Sequence, residues 1–225
     1  LILYAIGRFG ISAGRGHAIE YAGPAIRALT VEERMTLCNM SVEIGARLGV
    51  VAPDEATFAY VEGREFAPAG ADFDRMVAYW RTLPSDEDAA FERDLEVDCG
   101  AISPQVTWGT TPEDVTGIEG SVPDPASFET AARREAAARS LNYMGLEPNR
   151  PMEGLPVDIV FIGSCTNSRV SDLAAAAEVV RGRKVAGSVR AIVVPCSSSV
   201  RREAEARGLH HVFREAGFEW REPGC

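Results

Sequence analysis

The chain has 225 residues, of which 46% are hydrophobic and 25% are charged, a composition typical of globular proteins and unlike that of disordered or fibrous ones. Its 23 Lys and Arg residues and 33 Asp and Glu residues give a net charge of -10, and the sequence has no basic run that would favour binding to nucleic acid or to an anionic membrane. No apolar stretch has the length of a signal-peptide core or a transmembrane helix. The 5 cysteines are widely spaced and odd in number, which favours a reducing compartment, so we expect a cytoplasmic protein.

The N-terminal segment, residues 1–6, is a short apolar run that predicts a β-strand. The glycine-rich loop that follows matches neither a dinucleotide-binding nor a phosphate-binding motif. Next, Thr30 and Glu33 have the spacing of a capping box, and Gly49 follows the last turn of the helix that this box would begin.

Two polar residues of that predicted helix, Asn39 and Glu43, are spaced i, i+4 and therefore project from one face. An amide and a carboxylate in this arrangement could position a substrate and exchange protons. The alternative is an ordinary solvated helix face.

The middle of the chain has mixed patterns. Residues 58–61 predict a strand, and residues 72–82 predict a helix whose aromatic side belongs to the core. Residues 86–98 alternate acidic and apolar side chains, which indicates an exposed edge strand. Residues 102–115 predict a turn-rich loop in which Trp108 is packed or lines a pocket.

An alanine-rich helix follows a linker over residues 122–127. Asp124 and Pro125 are suitable N-cap and first-turn residues for this helix, which ends before Gly145. From Val157 onward, three strand-like runs alternate with helical ones, which predicts a βαβαβ unit with a parallel sheet and a buried first strand.

Each strand of this unit is followed by a cysteine: Cys165, Cys196 and Cys225. The carboxyl ends of parallel strands meet at one edge of the sheet, so the three thiols could face one crevice. Soft thiolate ligands suit an iron-sulfur cluster or zinc, and the spacing does not decide between them. Ordinary buried thiols remain the alternative.

Several longer motifs carry a family resemblance that runs in order along the chain. On these motifs the sequence closely resembles the aconitase superfamily and, within it, the isopropylmalate dehydratases of leucine biosynthesis. The motifs are GSCTNSR at 163–169, MTLCNMSVEIGA at 35–46, VAPDEATFAYV at 51–61, PQVTWGT at 104–110 and AGFEWREPGC at 216–225.

This resemblance implies a 4Fe-4S cluster that acts as a Lewis acid. It makes Cys165 and Cys225 cluster ligands, with the third ligand beyond the end of the chain. It does not make Cys196 a ligand, because the family usually has glycine there. It also implies catalytic roles for Asn39 and Glu43 and makes Asn167 a weaker candidate for the polar shell around the substrate.

The implied activity is that of a hydro-lyase that interconverts 2- and 3-isopropylmalate by dehydration and rehydration. The implied partner is a small subunit that completes a heterodimer, with a dicarboxylate as substrate. The alternatives are a sister hydro-lyase, such as a homoaconitase or methylmalate dehydratase, and a non-enzymatic remnant without a cluster.

The implied fold is α/β and aconitase-like, with two three-layer domains of mainly parallel sheets, the second truncated. We expect an α/β domain over residues 1–122, a helix and proline-rich connection over 123–156, and the cluster domain over 157–225. Both ends look cut, so we expect an internal portion of a large subunit that is inactive alone.

Overall fold

The structure is a computed structural model that describes residues 1–163 and 165–224. The chain folds into two compact units, Leu1–Glu153 and Gly154–Cys225, and both combine helices with β-strands, which confirms the predicted α/β class. In the described part of the chain, no helix combines the length and apolar character needed to span a bilayer. The predicted domain limits at residues 122 and 157 stay a prediction.

The first unit has a core formed by apolar residues of its first helices, including Ile6, Ile26 and Leu37. Short 3-10 helices cover Met40–Ile44, Cys99–Ala101 and Pro125–Ser127. The strands are β1 (Ala18–Glu20) and β2 (Leu48–Val50), which pair in parallel, and β3 (Gln105–Thr107) and β4 (Val115–Gly117), which pair antiparallel. The helices are α1 (Ile2–Phe9), α2 (Pro24–Ala28), α3 (Val31–Asn39), α4 (Glu55–Val61), α5 (Ala71–Trp80) and α6 (Ala131–Met144).

The N-terminal segment is the helix α1, so the strand predicted over residues 1–6 is wrong. Ile2 and Ile6, four residues apart and hence on one helix face, are both buried in the core of the unit. A six-residue apolar run fits either a strand or one face of a short buried helix, and here packing against the core selects the helix.

The strand predicted over residues 58–61 is also wrong, because this segment belongs to α4. The side chain of Asp54 begins the helix by accepting a hydrogen bond from the Thr57 backbone N–H, with 3.2 Å between N and Oδ1. An aspartate at the N-cap satisfies a backbone donor that has no partner within the helix.

The predicted helix over residues 72–82 corresponds to α5, but its aromatic side is not a buried core. Tyr79 is exposed, and Trp80 is half-buried and stacks on Phe58 with 6.0 Å between ring centroids. The edge strand predicted over residues 86–98 is wrong, because this acidic segment is irregular and almost wholly exposed. Side chains of like charge at such density disfavour close pairing with a neighbouring strand.

The loop predicted over residues 102–115 contains the strand β3 and reaches the first residue of β4, and between them Trp108 is packed, with 1% of its surface exposed. The alanine-rich helix α6 ends at Gly145 as predicted, but Thr130 is its N-cap. Asp124 instead caps the 3-10 helix Pro125–Ser127. Aspartate and threonine both accept a backbone hydrogen bond well, so residue type alone does not distinguish the two positions as helix N-caps.

The second unit is a parallel βαβαβ arrangement, which confirms the prediction. Its strands lie in the order β5, β6, β7, and Gly163 pairs with Val194 at the carboxyl end of the first two. The elements are β5 (Ile159–Gly163), α7 (Val170–Val180), β6 (Arg190–Val194), α8 (Ser198–Ala206), α9 (Leu209–Ala216) and β7 (Glu219–Trp220).

The two faces of this sheet differ in burial. Val160 and Val193 pack into the core formed with α7, α8 and α9, whereas Ile159 and Phe161 on the other face of β5 are 61% and 57% exposed. The strand predicted as buried is therefore covered on one face. Side chains alternate between the two faces along a strand, so a continuous apolar run places apolar side chains on the exposed face as well as on the buried one.

Candidate functional site

The segment that carries Asn39 and Glu43 begins with the predicted capping box. The Thr30 backbone N–H donates to Oε2 of Glu33 at 2.8 Å, and the Glu33 N–H donates to Oγ1 of Thr30 at 3.3 Å. The helix does not run to Gly49 as predicted. It ends at Asn39 and continues as the 3-10 helix Met40–Ile44, which Gly45 terminates with a φ of 87°.

This change of helix type alters the relation between Asn39 and Glu43, both of which are exposed. Each residue turns about 100° in an α-helix but about 120° in a 3-10 helix. Four steps therefore separate the two side-chain directions by roughly 120° instead of roughly 40°. Ideal 3-10 geometry thus does not favour the stacked pair on one face that the i, i+4 spacing predicts for a continuous α-helix.

Glu43 lines a cavity of about 310 Å³ within the first unit. This volume is at the lower end of the range for small-molecule sites, about 300–1000 Å³. Among the described residues that line it, Glu43 is the one that carries a formal charge. The others are Leu3 of α1, Met40, Thr107 at the end of β3, and Gly109, Thr110, Thr111 and Pro112 of the following turn.

That turn is fixed by the buried carboxylate of Asp114, whose side chain is 1% exposed. Its Oδ2 accepts hydrogen bonds from the backbone N–H of Thr110 at 3.0 Å, from that of Thr111 at 3.4 Å and from the hydroxyl of Ser140 at 2.7 Å. Its Oδ1 lies 2.7 Å from Nη2 of Arg133. A buried carboxylate with a cationic partner and several donors is stabilised in place, so the turn is held rigidly against α6.

Gly109 is required by this arrangement. A Cβ at position 109 would lie 2.1 Å from Oδ2 of Asp114, well inside van der Waals contact. Asp114, Arg133 and the cavity were not predicted from the sequence. The turn signal of Pro112 was visible, but nothing in a single sequence indicates that the aspartate two residues later is buried.

The second unit carries Cys165, Cys196 and Asn167. Cys165 and Asn167 are exposed in the turn after β5, and Cys196 is half-buried two residues after β6. Because Gly163 pairs with Val194, the two cysteines follow equivalent positions on neighbouring parallel strands. Cys225, predicted as the second cluster ligand, lies outside the described residues.

Two hydrogen bonds tie the turn after β5 to the segment after β6. The buried Ser168 hydroxyl donates to the Val194 carbonyl at 2.7 Å, and the Cys196 N–H donates to the Ser168 carbonyl at 3.2 Å. These bonds hold the turn that exposes the Cys165 thiol at the carboxyl edge of the sheet. Ligands of open parallel sheets bind at this edge.

The exposed thiol of Cys165 fits the donor chemistry of an iron-sulfur cluster, which requires soft thiolate ligands. Within the described ranges, no three side chains of His, Cys, Asp or Glu are grouped so as to hold a metal ion. In the first unit, burial raises the pKa of the Cys38 thiol, which disfavours the thiolate that metal binding requires. Cys165 is therefore the described cysteine that best fits the predicted role.

The predicted site residues that the structure describes are thus divided between the two units. Glu43 contributes to a cavity with a rigid wall, Asn39 lies at the end of α3, and Cys165 and Asn167 lie in a braced turn at a sheet edge.

Comparison with known proteins matches all of residues 1–225 to the aconitase family (aconitate hydratase). The chain is 58% identical over 225 residues to the 3-isopropylmalate dehydratase large subunit 1 of Bradyrhizobium diazoefficiens (strain JCM 10833 / BCRC 13528 / IAM 13628 / NBRC 14792 / USDA 110). The match covers 100% of this chain and 47% of that relative, so the chain spans about half the length of the curated relative. The chain belongs to the aconitase family.

Proposed function

We propose that the protein is a 3-isopropylmalate dehydratase, a hydro-lyase that interconverts 2- and 3-isopropylmalate through their common dehydration product. Support comes from the 58% identity to a large subunit of that name and from the exposed Cys165 thiol at the sheet edge. The thiol is the observation that carries the proposal, because the hydrogen bond from Ser168 to Val194 braces the turn that presents it at the sheet edge.

In this proposal Cys165 and Cys225 hold a 4Fe-4S cluster, and the third ligand lies outside the 225 residues. When bound, the cluster supplies a Lewis acid that binds the substrate's hydroxyl and a carboxylate. A reducing compartment such as the cytoplasm keeps the ligand thiols available.

Glu43 and Asn39 act on the substrate in different ways. A Glu43 carboxyl oxygen gives a proton to the departing hydroxyl oxygen and, in the reverse direction, takes one from water. The Asn39 side-chain N–H donates a hydrogen bond that orients a substrate carboxylate. The Asn167 amide contributes a further hydrogen bond from the turn after β5.

The base that removes the substrate's C–H proton is assigned to a small subunit, with which the full large subunit forms a heterodimer. The word "large subunit" in the relative's name supports the existence of such a partner. A dicarboxylate must meet a locally arranged positive charge, because a chain with a net charge of -10 provides no general attraction for an anion. We assign that charge to arginines of the full large subunit outside these 225 residues.

The test uses the full-length large subunit with its small subunit, reconstituted anaerobically with iron and sulfide. We expect broad cluster absorbance and dehydration of 2-isopropylmalate, and we expect Cys165→Ser to abolish both. Cys196→Ser is the matched control at the equivalent position of the neighbouring strand, and we expect it to retain both.

Two results would overturn the proposal. If the unmodified pair takes up no iron, the protein is a cluster-free member of its family. If it takes up iron but dehydrates homocitrate or a methylmalate instead of isopropylmalate, it is a sister hydro-lyase.

A further inference from the structure

Cys196 is a nucleophilic side chain that the proposed function does not use. It is half-buried and follows β6, next to the turn in which the exposed Cys165 follows β5. The second unit therefore has a thiol after each of two neighbouring parallel strands. Two thiols in such positions can react with each other if the backbone brings them close enough.

The pairing of the strands brings the two cysteines close together. Gly163 and Val194 are partners at the carboxyl ends of β5 and β6. Each cysteine lies two residues beyond its own member of this pair. Neighbouring strands are about 4.8 Å apart, and a disulfide requires about 4.4–6.8 Å between its Cα atoms. The spacing of the strands therefore lies within the range that a disulfide needs.

Two hydrogen bonds keep the turn of Cys165 beside Cys196. The Ser168 hydroxyl donates to the Val194 carbonyl at 2.7 Å, and the Cys196 N–H donates to the Ser168 carbonyl at 3.2 Å. Both ends of the turn, Gly163 and Ser168, are thus bonded to the segment that contains Cys196. Since two residues span at most about 7 Å, Cys165 remains near this segment.

We propose that Cys165 and Cys196 form a reversible disulfide when Cys165 does not hold a cluster, with hydrogen peroxide as the oxidant. The Cys165 sulfur attacks a peroxide oxygen, the O–O bond breaks and one water leaves, which gives a sulfenic acid. The Cys196 sulfur then attacks that sulfur, the S–O bond breaks and a second water leaves as the S–S bond forms. Both thiol sulfurs are oxidised, both peroxide oxygens are reduced, and the two thiol protons end in the waters.

The burial of the two thiols assigns the order of these steps. Cys165 is exposed and meets peroxide first, whereas Cys196 is half-buried and attacks second. Without this second thiol, the sulfenic acid is oxidised further to a sulfinic acid, which thiol reductants do not reverse. A disulfide, by contrast, returns to two thiols by exchange with a reductant.

Cys196 thus protects Cys165 from irreversible oxidation. Disulfides in a reducing compartment are typically transient and respond to oxidants in this way. The disulfide goes beyond the proposed function and does not depend on the substrate. Its protective value for a cluster ligand rests on the proposed function.

The experiment uses the full-length large subunit with its small subunit, after removal of iron with a chelator and of excess reductant. One equivalent of hydrogen peroxide is added, remaining thiols are alkylated, and tryptic peptides are analysed by mass spectrometry without reduction. Trypsin separates the two cysteines, because Arg169 and Arg190 lie between them. We expect a disulfide that joins the peptides of Cys165 and Cys196 and that disappears after treatment with dithiothreitol.

Three variants accompany the unmodified protein. In Cys196→Ser we expect no disulfide at Cys165 and several times more of its sulfinic acid. Cys196→Ala provides the same test should the serine variant fail to fold. Cys99→Ser, at a half-buried cysteine of the first unit, is the matched control and should form the same disulfide as the unmodified protein.

Two results would overturn the inference. One is equal formation of sulfinic acid at Cys165 in the unmodified protein and in Cys196→Ser, without the disulfide. The other is a disulfide from Cys165 to Cys225 in place of Cys196. If the expected disulfide forms, but the reduced heterodimer neither takes up iron nor dehydrates 2-isopropylmalate, the disulfide is confirmed and the proposed function is overturned.

Discussion

Arg34 and Asp54 form a bidentate ion pair, with 2.7 Å from Nη1 to Oδ1 and 2.8 Å from Nη2 to Oδ2. The guanidinium is 4% exposed and also donates to the carbonyls of Leu29 and Arg27. The side chain thus connects the segment around α2 with the N-cap of α4 and satisfies four acceptor atoms.

We expect Arg34→Met to lower the free energy of unfolding of the first unit by about 3 kcal/mol. The substitution removes the buried guanidinium and leaves the Asp54 carboxylate and two backbone carbonyls without their hydrogen-bond donor. Arg75→Met removes an exposed pair with Asp72 and should cost less than about 1 kcal/mol. Urea unfolding followed by tryptophan fluorescence measures both. Equal destabilisation by the two variants would show that the buried ion pair stabilises the fold no more than the exposed one does.

A second prediction concerns the stability of the turn at Gly109, which packs against Asp114. Gly109→Ala places a Cβ 2.1 Å from Oδ2 of Asp114, and the carboxylate is held by several partners and cannot move freely. We expect a loss of about 1–3 kcal/mol in the free energy of unfolding. Gly187→Ala is the control, since no heavy atom lies within 4 Å of its Cβ position, and it should be close to neutral. Equal stability of the two alanine variants would mean that the turn at 109 is free to shift.

A third prediction concerns catalysis by the full-length heterodimer. Glu43→Gln preserves the shape of the side chain but cannot exchange a proton, so kcat should fall by about 10²- to 10⁴-fold. Glu62→Gln, at an exposed glutamate after α4, should leave kcat unchanged. The cluster absorbance of both variants should equal that of the unmodified protein. A Glu43→Gln variant with full kcat would remove this residue from the proposed mechanism.

A fourth prediction concerns acid stability of the second unit. Hydrogen bonds from Arg190 and Arg221 lower the pKa of Glu219 from 4.5 to about 2. A carboxyl group with a lowered folded-state pKa stabilises the fold above its unfolded pKa, and this contribution disappears as the pH falls through the folded pKa. The contribution should therefore be complete above about pH 5 and be lost progressively between about pH 4.5 and pH 2.

Glu219→Gln tests this pH dependence. Its stability deficit relative to the unmodified protein should shrink as the pH falls from 4.5 to 2, measured by urea unfolding with tryptophan fluorescence. Glu215→Gln, at an exposed glutamate of α9, is the control. A deficit that stays constant with pH would show that the ion pairs of Glu219 do not stabilise the unit.

Features that depend on neighbouring residues in sequence were predictable. The capping box of Thr30 and Glu33 and the alternation of strands and helices after Val157 both correspond to the structure. Cys165 was located at a strand end by the same reasoning, because strand termini are marked by local composition.

Features that depend on distant residues were not predictable. The helical state of residues 2–9 follows from burial of Ile2 and Ile6 against other elements, which a six-residue pattern cannot reveal. The end of α3 at Asn39 and the cavity beside Glu43 likewise result from tertiary packing. Asp54 is a local N-cap signal for α4, whereas Phe58 and Tyr60 are residue types that favour strands, so the local sequence is ambiguous there.

The hydrogen bonds of Asp114 also bear on the thermodynamics of ligand binding. Loops that become ordered only when a ligand arrives lose conformational entropy at that moment, and this loss weakens affinity. The turn over residues 109–112 is already ordered by the protein's own carboxylate. Association at this cavity should therefore proceed with little entropic penalty from the turn, and its heat capacity change should reflect desolvation of apolar surface with no contribution from coupled folding.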